Sequence, residues 1–206
     1  LQNLLNEAKR ASVKRFIHIS ALGTSERPVS QYFRTKWRGE QLVRNSGIPY
    51  VILRPSLVFG PEDKFFNMLK PMLSLPIIPV AGDGKTKFQP IYVEDLASCL
   101  AQAVEKDKPL NGIWEVAGSQ QFTFDEMLDQ MSGILGKSRK PKLHIPMPLM
   151  MVIARAAEKL FSKPFVTRDQ LKMLSLDNVT ASNALADVFN VQPRPFPETV
   201  RKYWVR

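Results

Sequence analysis

The sequence predicts an α/β fold, a doubly wound parallel sheet followed by a smaller, mostly helical lobe. Three observations carry this. Over the first 106 residues, short apolar runs alternate with segments of helical period, the pattern of β-α units over a parallel sheet. Further along, amphipathic segments of helical spacing are separated by prolines. The length of 206 residues, 44% hydrophobic and 23% charged, suits one domain or one plus a small appendage. The expected division is residues 1–117 for the sheet domain and 118–206 for the smaller lobe. That boundary is soft, because chains of this kind cross between lobes.

Residues 1–12 place Leu1, Leu4, Leu5 and Ala8 on one helical stripe. Residues 15–20 form a short apolar strand ending at Ser20. A helix follows over 30–46, with Ser30 placed to cap its start and Gly47 just past its end. Residues 50–53 are the next buried strand. Residues 61–73 predict a helix, 95–104 another, and 112–117 a further strand. Gly82-Asp83-Gly84 reads as a tight turn between strands. In the second part, 123–135 predicts a helix whose Thr123 and Glu126 have capping-box spacing. Residues 137–142 read as a basic turn, 146–161 as a strongly apolar helix, and 167–174 as a helix capped by Thr167. A final short helix runs through Tyr203 after the proline-rich 193–197.

The bulk properties exclude several classes. No run approaches the roughly 18 apolar residues of a membrane span. The start has no charged segment followed by an apolar stretch, so it is not a secretory signal, and it reads as the interior of a domain. The single Cys99 excludes an internal disulfide and fits a reducing compartment. With His18, His144 and one cysteine there is no metal-ligand cluster. The net charge of +10 has three readings: a basic soluble surface, contact with an anionic membrane or acidic partner, and nucleic acid. Nucleic acid ranks last, because no recognisable module is present and the aromatics sit in apolar runs.

The chemistry concentrates at Tyr32 and Lys36. Four residues apart on a helix, they project from one face, which brings an ammonium near a phenol. A free tyrosine has a pKa of about 10, so acting as a base near neutrality needs a drop of roughly three units. A nearby cation supplies the right sign of field. Ser20, at the carboxyl end of a strand, is where ligands dock in open α/β sheets. Arg54 reaches a phosphate or ties down a neighbouring loop. His18 reads as a satisfied sheet histidine and Cys99 as a core filler. The 149–161 helix is either a core helix or, with Lys137, Arg139, Lys140 and Lys142, a contact with anionic membrane.

Ser20, Tyr32 and Lys36 resemble the Ser-Tyr-Lys triad of the short-chain dehydrogenase/reductase superfamily, which has a Rossmann-like fold. Gly39-Glu40 and the run from Leu53-Arg54-Pro55 to Gly60-Pro61 are similar to its extended and atypical branches, which include nucleotide-sugar epimerases. The resemblance implies Tyr32 as acid/base, Lys36 on the ribose hydroxyls, and Pro55, Ser56, Leu57 and Phe59 as a wall for NAD(H) or NADP(H). Gly60 to Asn67, Phe88 to Val93, Phe165-Val166-Thr167-Arg168-Asp169-Gln170-Leu171 and Asp177-Asn178 together resemble one subgroup. It is the dinucleotide-binding accessory subunit of respiratory complex I and its bacterial relatives. This implies a peripheral protein on the matrix or cytoplasmic side of a membrane, with complex I subunits as partners and the cofactor held structurally.

The ten glycines include no three with the spacing of a pyrophosphate-binding loop. The sequence therefore reads as the C-terminal portion of a longer polypeptide, expected by itself to bind dinucleotide weakly and to be marginally soluble. Three functions stand: an accessory or assembly protein, an active oxidoreductase or epimerase using Tyr32, and an NADP(H) sensor.

Overall fold

The computed structural model describes residues 1–105 and 110–205. Helix α1 (Gln2–Arg10) buries Leu5 and Ala8 and leads to strand β1 (Phe16–Ile19). Helix α2 (Gln31–Arg44) follows, then strand β2 (Tyr50–Pro55). Both helix boundaries lie within two residues of those the sequence predicts. Ser30 caps α2, its hydroxyl oxygen accepting from the Phe33 N–H, and Gly47 takes the positive φ of 77° that the chain needs to turn back. Gly39 lets α2 lie close on β1, because a Cβ there would sit 3.1 Å from the His18 ring.

A short strand β3 (Val58–Phe59) precedes helix α3 (Lys64–Leu69) and a 3-10 turn (Lys70–Ser74). The sequence predicts one helix across 61–73. It starts later, capped by Asp63, and tightens at Lys70, because Pro71 has no N–H to continue the α-helical ladder. Strands β4 (Ile78–Ala81), β5 (Lys87–Phe88) and β6 (Ile91–Tyr92) lead into helix α4 (Val93–Val104) and strand β7 (Gly112–Val116). Strand β8 (Phe122–Thr123) enters helix α5 (Phe124–Ile134), whose capping box between Thr123 and Glu126 is formed. Strand β9 (Lys142–Ile145) follows, then helices α6 (Met147–Leu160), α7 (Arg168–Leu174), α8 (Ala184–Asp187) and α9 (Phe196–Trp204).

The main sheet has the order β1-β2-β7, all parallel, with Ile19 opposite Leu53 and Leu53 opposite Trp114. Small pairs extend the architecture: β3 with β6 and β4 with β9 are parallel, and β5 with β8 is antiparallel. The basic turn at 137–142 thus runs into a strand. Its partner β4 contains Pro79, which is tolerated because β4, among the described residues, pairs with β9 alone. The basic residues of that turn are mostly engaged: Lys142 pairs with Asp129 at 2.6 Å, Arg139 approaches the same carboxylate at 3.9 Å, and Lys137 donates to the Ser74 hydroxyl.

Besides a cluster in which Leu5, Ala8, Val43 and Ile48 pack against Ile52 of the main sheet, two larger cores form. One is aromatic, with Phe66 and Phe196 ring centroids 4.9 Å apart, and includes α5, α9 and the 3-10 turn. Each phenylalanine fully buried there contributes roughly 1.5–3 kcal/mol. The other packs Val51, Leu53 and Val116 against α4 and against Ala184, Leu185 and Phe189, so residues from both sides of position 117 share one core. Among the described residues, no helix is long and apolar enough to cross a membrane.

Candidate functional site

The carboxyl ends of β1 and β2 open onto a cavity of about 890 Å³. Ser20, Tyr32, Lys36, Pro55, Ser56 and Leu57 all line it, although they come from three separate stretches of chain. The parallel pairing of β1 with β2 brings them together: the ends of adjacent parallel strands lie at one edge, and α2 descends across it. Phe59 does not belong to this wall. It is fully buried in the aromatic core, its ring 5.0 Å from that of Phe196 and 5.3 Å from that of Tyr92. The two-residue strand β3 turns it away from the cavity, a register that the sequence pattern does not specify.

Tyr32 is half-exposed and Lys36 reaches over its ring, with Nζ 5.7 Å from the centroid. The same ammonium donates to the Ile19 carbonyl at 3.0 Å. Burial raises the Tyr32 phenol above its ordinary value and lowers the Lys36 ammonium. The drop in the phenol's pKa that base chemistry needs is therefore not supplied by these surroundings alone.

Ser20 is buried, and its hydroxyl donates to Glu40 Oε1 at 2.5 Å. Glu40 is itself fully buried and accepts two hydrogen bonds from Arg54, at 2.8 and 2.6 Å. This fork geometry, with Glu115 at 4.0 Å as a further partner, holds the Arg54 guanidinium firmly protonated. Arg54 thus ties helix to strand. Ser20 has one hydroxyl proton, and the carboxylate behind the sheet takes it. Ser56 likewise donates to the Gln89 carbonyl at 2.5 Å, which leaves its oxygen as an acceptor towards the cavity.

Three residues matter here that the sequence offers only within longer motifs. Asp169 accepts from the backbone N–H groups of Gln31 and Tyr32, closing the start of the helix that carries the Tyr-Lys pair. Asn178 accepts from the Leu57 N–H at 2.7 Å and fixes the cavity wall. Arg168 anchors α7 to α6 through Glu158. The available signal for all three is the density of capping residues in 165–178. For Glu40, the signal is its position four residues after Lys36, on the same helical face.

The residues present fit the nicotinamide half of a dinucleotide. Lys36 offers an ammonium that would hold ribose hydroxyls, and Pro55 and Leu57 offer an apolar surface for a flat ring. A bound nicotinamide would supply hydride exchange. The protein's own groups would orient it, hold the Tyr32 proton and exclude water.

A Tyr-x-x-x-Lys helix lying across the ends of a parallel sheet is the arrangement of the short-chain dehydrogenase/reductase class. Residues 1–117 match the model of the NAD dependent epimerase/dehydratase family, and the chain belongs to it. It is 33% identical over 192 residues to the mitochondrial NADH dehydrogenase (ubiquinone) 1 alpha subcomplex subunit 9 of Dictyostelium discoideum, covering 91% of this chain and 53% of that protein. It is 30% identical over 140 residues to a ceramide reductase of Caulobacter vibrioides, covering 66% of this chain and 43% of that one. The chain spans about half the length of the curated relatives it matches. Among solved structures, a Bacillus cereus UDP-glucuronic acid 4-epimerase superimposes with TM-score 0.69 at 23% identity, over 98% of this chain and 65% of that one. That likeness concerns the fold.

Proposed function

We propose that this chain is the nicotinamide-facing portion of an NAD(P)H-binding accessory or assembly protein of respiratory NADH:quinone oxidoreductase. In this reading the cofactor is held as a structural element and the partners are subunits of that complex. The protein sits peripherally, on the matrix or cytoplasmic side of the membrane. The observation that carries the structural role is the commitment of the catalytic-type groups. Ser20 donates to Glu40, Lys36 donates to Ile19, and the Tyr32 phenol is raised rather than lowered. Tyr32, Lys36, Pro55, Ser56 and Leu57 then serve as a clamp. The relationship to the Dictyostelium complex I subunit supports the partner assignment.

The experiment uses the full-length protein. Expected are dinucleotide that co-purifies and does not turn over, and recovery of the protein in a membrane complex. Lys36→Met is expected to weaken dinucleotide retention. Failure of the full-length chain to bind any dinucleotide would overturn the proposal.

A second reading is an active oxidoreductase in which Tyr32 exchanges a proton with substrate. It is favoured by the ceramide reductase relative and by the Tyr32 hydroxyl's place on the cavity wall. Turnover abolished by Tyr32→Phe, with cofactor affinity unchanged, would establish it over the first.

A further inference from the structure

The lining of the cavity is mostly hydrocarbon. Ser20, Tyr32, Lys36, Ser56, Gln170 and Asn178 bring the polar side chains of its lining. Four of these are already engaged: Ser20 and Ser56 donate within the protein, Asn178 accepts from Leu57, and Gln170 Oε1 accepts from the Thr167 N–H. Lys36 is the one charged residue in the lining among the described residues, and no arginine lines it. Beyond the cofactor's own ribose at Lys36, a sugar nucleotide would bury many polar atoms here with few partners, at a cost for each.

The remaining wall is aliphatic and sulfur-bearing. Met72, Ile145, Met150, Ile153, Met173 and Leu174 belong to it. Methionine-rich walls adapt to flexible apolar ligands. The volume of about 890 Å³ lies in the range of roughly 300–1,000 Å³ for small-molecule sites.

A route in is also visible. Helix α6 lines the cavity with Met150 and Ile153 and exposes Leu149, Val152 and Leu160. Phe165 lines the cavity and is itself 65% exposed, which places it at the rim, with exposed Phe161 nearby in sequence. Arg155, Lys159 and Lys163 are exposed on the same segment. An apolar stripe with flanking cations, continuous with the lining of an apolar cavity, suits a chain drawn from a lipid surface.

We propose that this cavity binds the long hydrocarbon chain of a lipid, with a hydroxyl or keto oxygen near its head presented to Tyr32 and Lys36. The donors left for a ligand are few, the Tyr32 hydroxyl, the Lys36 ammonium and the side-chain amides of Gln170 and Asn178, which suits a head of one or two oxygens. The methylenes fill the methionine and leucine wall. The proposal needs only the cavity and is independent of any association with the respiratory complex.

The test is calorimetric titration of the full-length protein with 3-hydroxy fatty acids of increasing length, below their aggregation concentrations. Each added methylene is expected to tighten binding about fourfold until the cavity is full. Ile153→Trp and Met72→Trp, which take up space in the apolar part of the cavity, are expected to weaken the longest probe tenfold or more and leave NADPH affinity unchanged. The length series needs no variant, so a misfolded substitution does not remove the test. Affinity independent of chain length, or absent, in protein that still binds NADPH overturns the proposal. So does binding of UDP-glucose in competition with the fatty acid. Loss of NADPH binding with the length dependence intact would instead overturn only the cofactor role proposed above.

Discussion

Asp169 holds the start of the helix that carries Tyr32. Its two carboxylate oxygens accept from the Gln31 N–H at 2.7 Å and the Tyr32 N–H at 3.1 Å, across 138 and 137 residues of sequence. With Ser30 taking the Phe33 N–H, the first three free donors of α2 are satisfied, two of them by a side chain from α7. A carboxylate at this end also complements the helix dipole.

Asp169→Ala is therefore expected to cost about 1–2 kcal/mol of stability, the range for a lost helix cap. Asp169→Asn should cost less, because the amide oxygen still accepts one bond. Urea denaturation of the three proteins checks the order. Loss of dinucleotide affinity in Asp169→Ala would show that the cap also positions Tyr32 and Lys36.

The Glu40–Arg54 pair makes a sharper demand. Glu40→Ala leaves Arg54 with Glu115 at 4.0 Å as its remaining acidic partner, and removing one member of a buried pair typically costs about 3–5 kcal/mol. Replacing both Glu40 and Arg54 by apolar residues is expected to cost less than the sum of the single losses. A double-mutant cycle by chemical denaturation measures that difference.

Cys99 should be inert in the native state. It is fully buried in the sheet-side core, and burial, with a further push from Asp95, raises its thiol to about 12. Labelling by a thiol reagent at neutral pH is expected to be negligible in the folded protein and rapid in denaturant. Fast labelling without denaturant would contradict this packing.

His18 gives the stability a pH dependence with a definite sign. Burial first, and then the Lys36 charge, hold its imidazole below the ordinary value against an opposing pull from Glu40. Its Nε2 is also a buried atom without a hydrogen-bond partner among the described residues. The unfolded chain thus takes up a proton that the fold resists. The contribution is present above the ordinary value of about 6.5 and is lost as pH falls through the lowered folded value. His18→Gln should lose less stability than the unsubstituted protein between about pH 7.5 and 5. An equal loss in both would remove His18 from the account.

The sequence by itself determined the elements whose signals are local. Ser30 before an amphipathic run, Thr123 three residues before Glu126, and Thr167 three before Gln170 each cap the helix that the spacing predicts. The apolar runs at 16–19 and 50–55 became adjacent parallel strands, and a spacing of four put Tyr32 and Lys36 on one face. These outcomes rest on hydrogen bonds and side-chain contacts within a few residues, so a linear pattern contains them.

The tertiary structure alone decided what those residues touch. The strands β3, β5, β6 and β8 are two residues each, too short for a periodic signal, and exist because distant partners pair with them. Phe59 moved from the expected cofactor wall into the aromatic core through the register of one such strand. Ser20 met Glu40, Asp169 met Tyr32, and Asn178 met Leu57 across separations no short-range pattern encodes. The character of the cavity was set in the same way. Its methionines lie on α3, the 3-10 turn, α6 and α7, and only the packing of these elements over one sheet edge turns separate apolar faces into a single hydrocarbon-lined site.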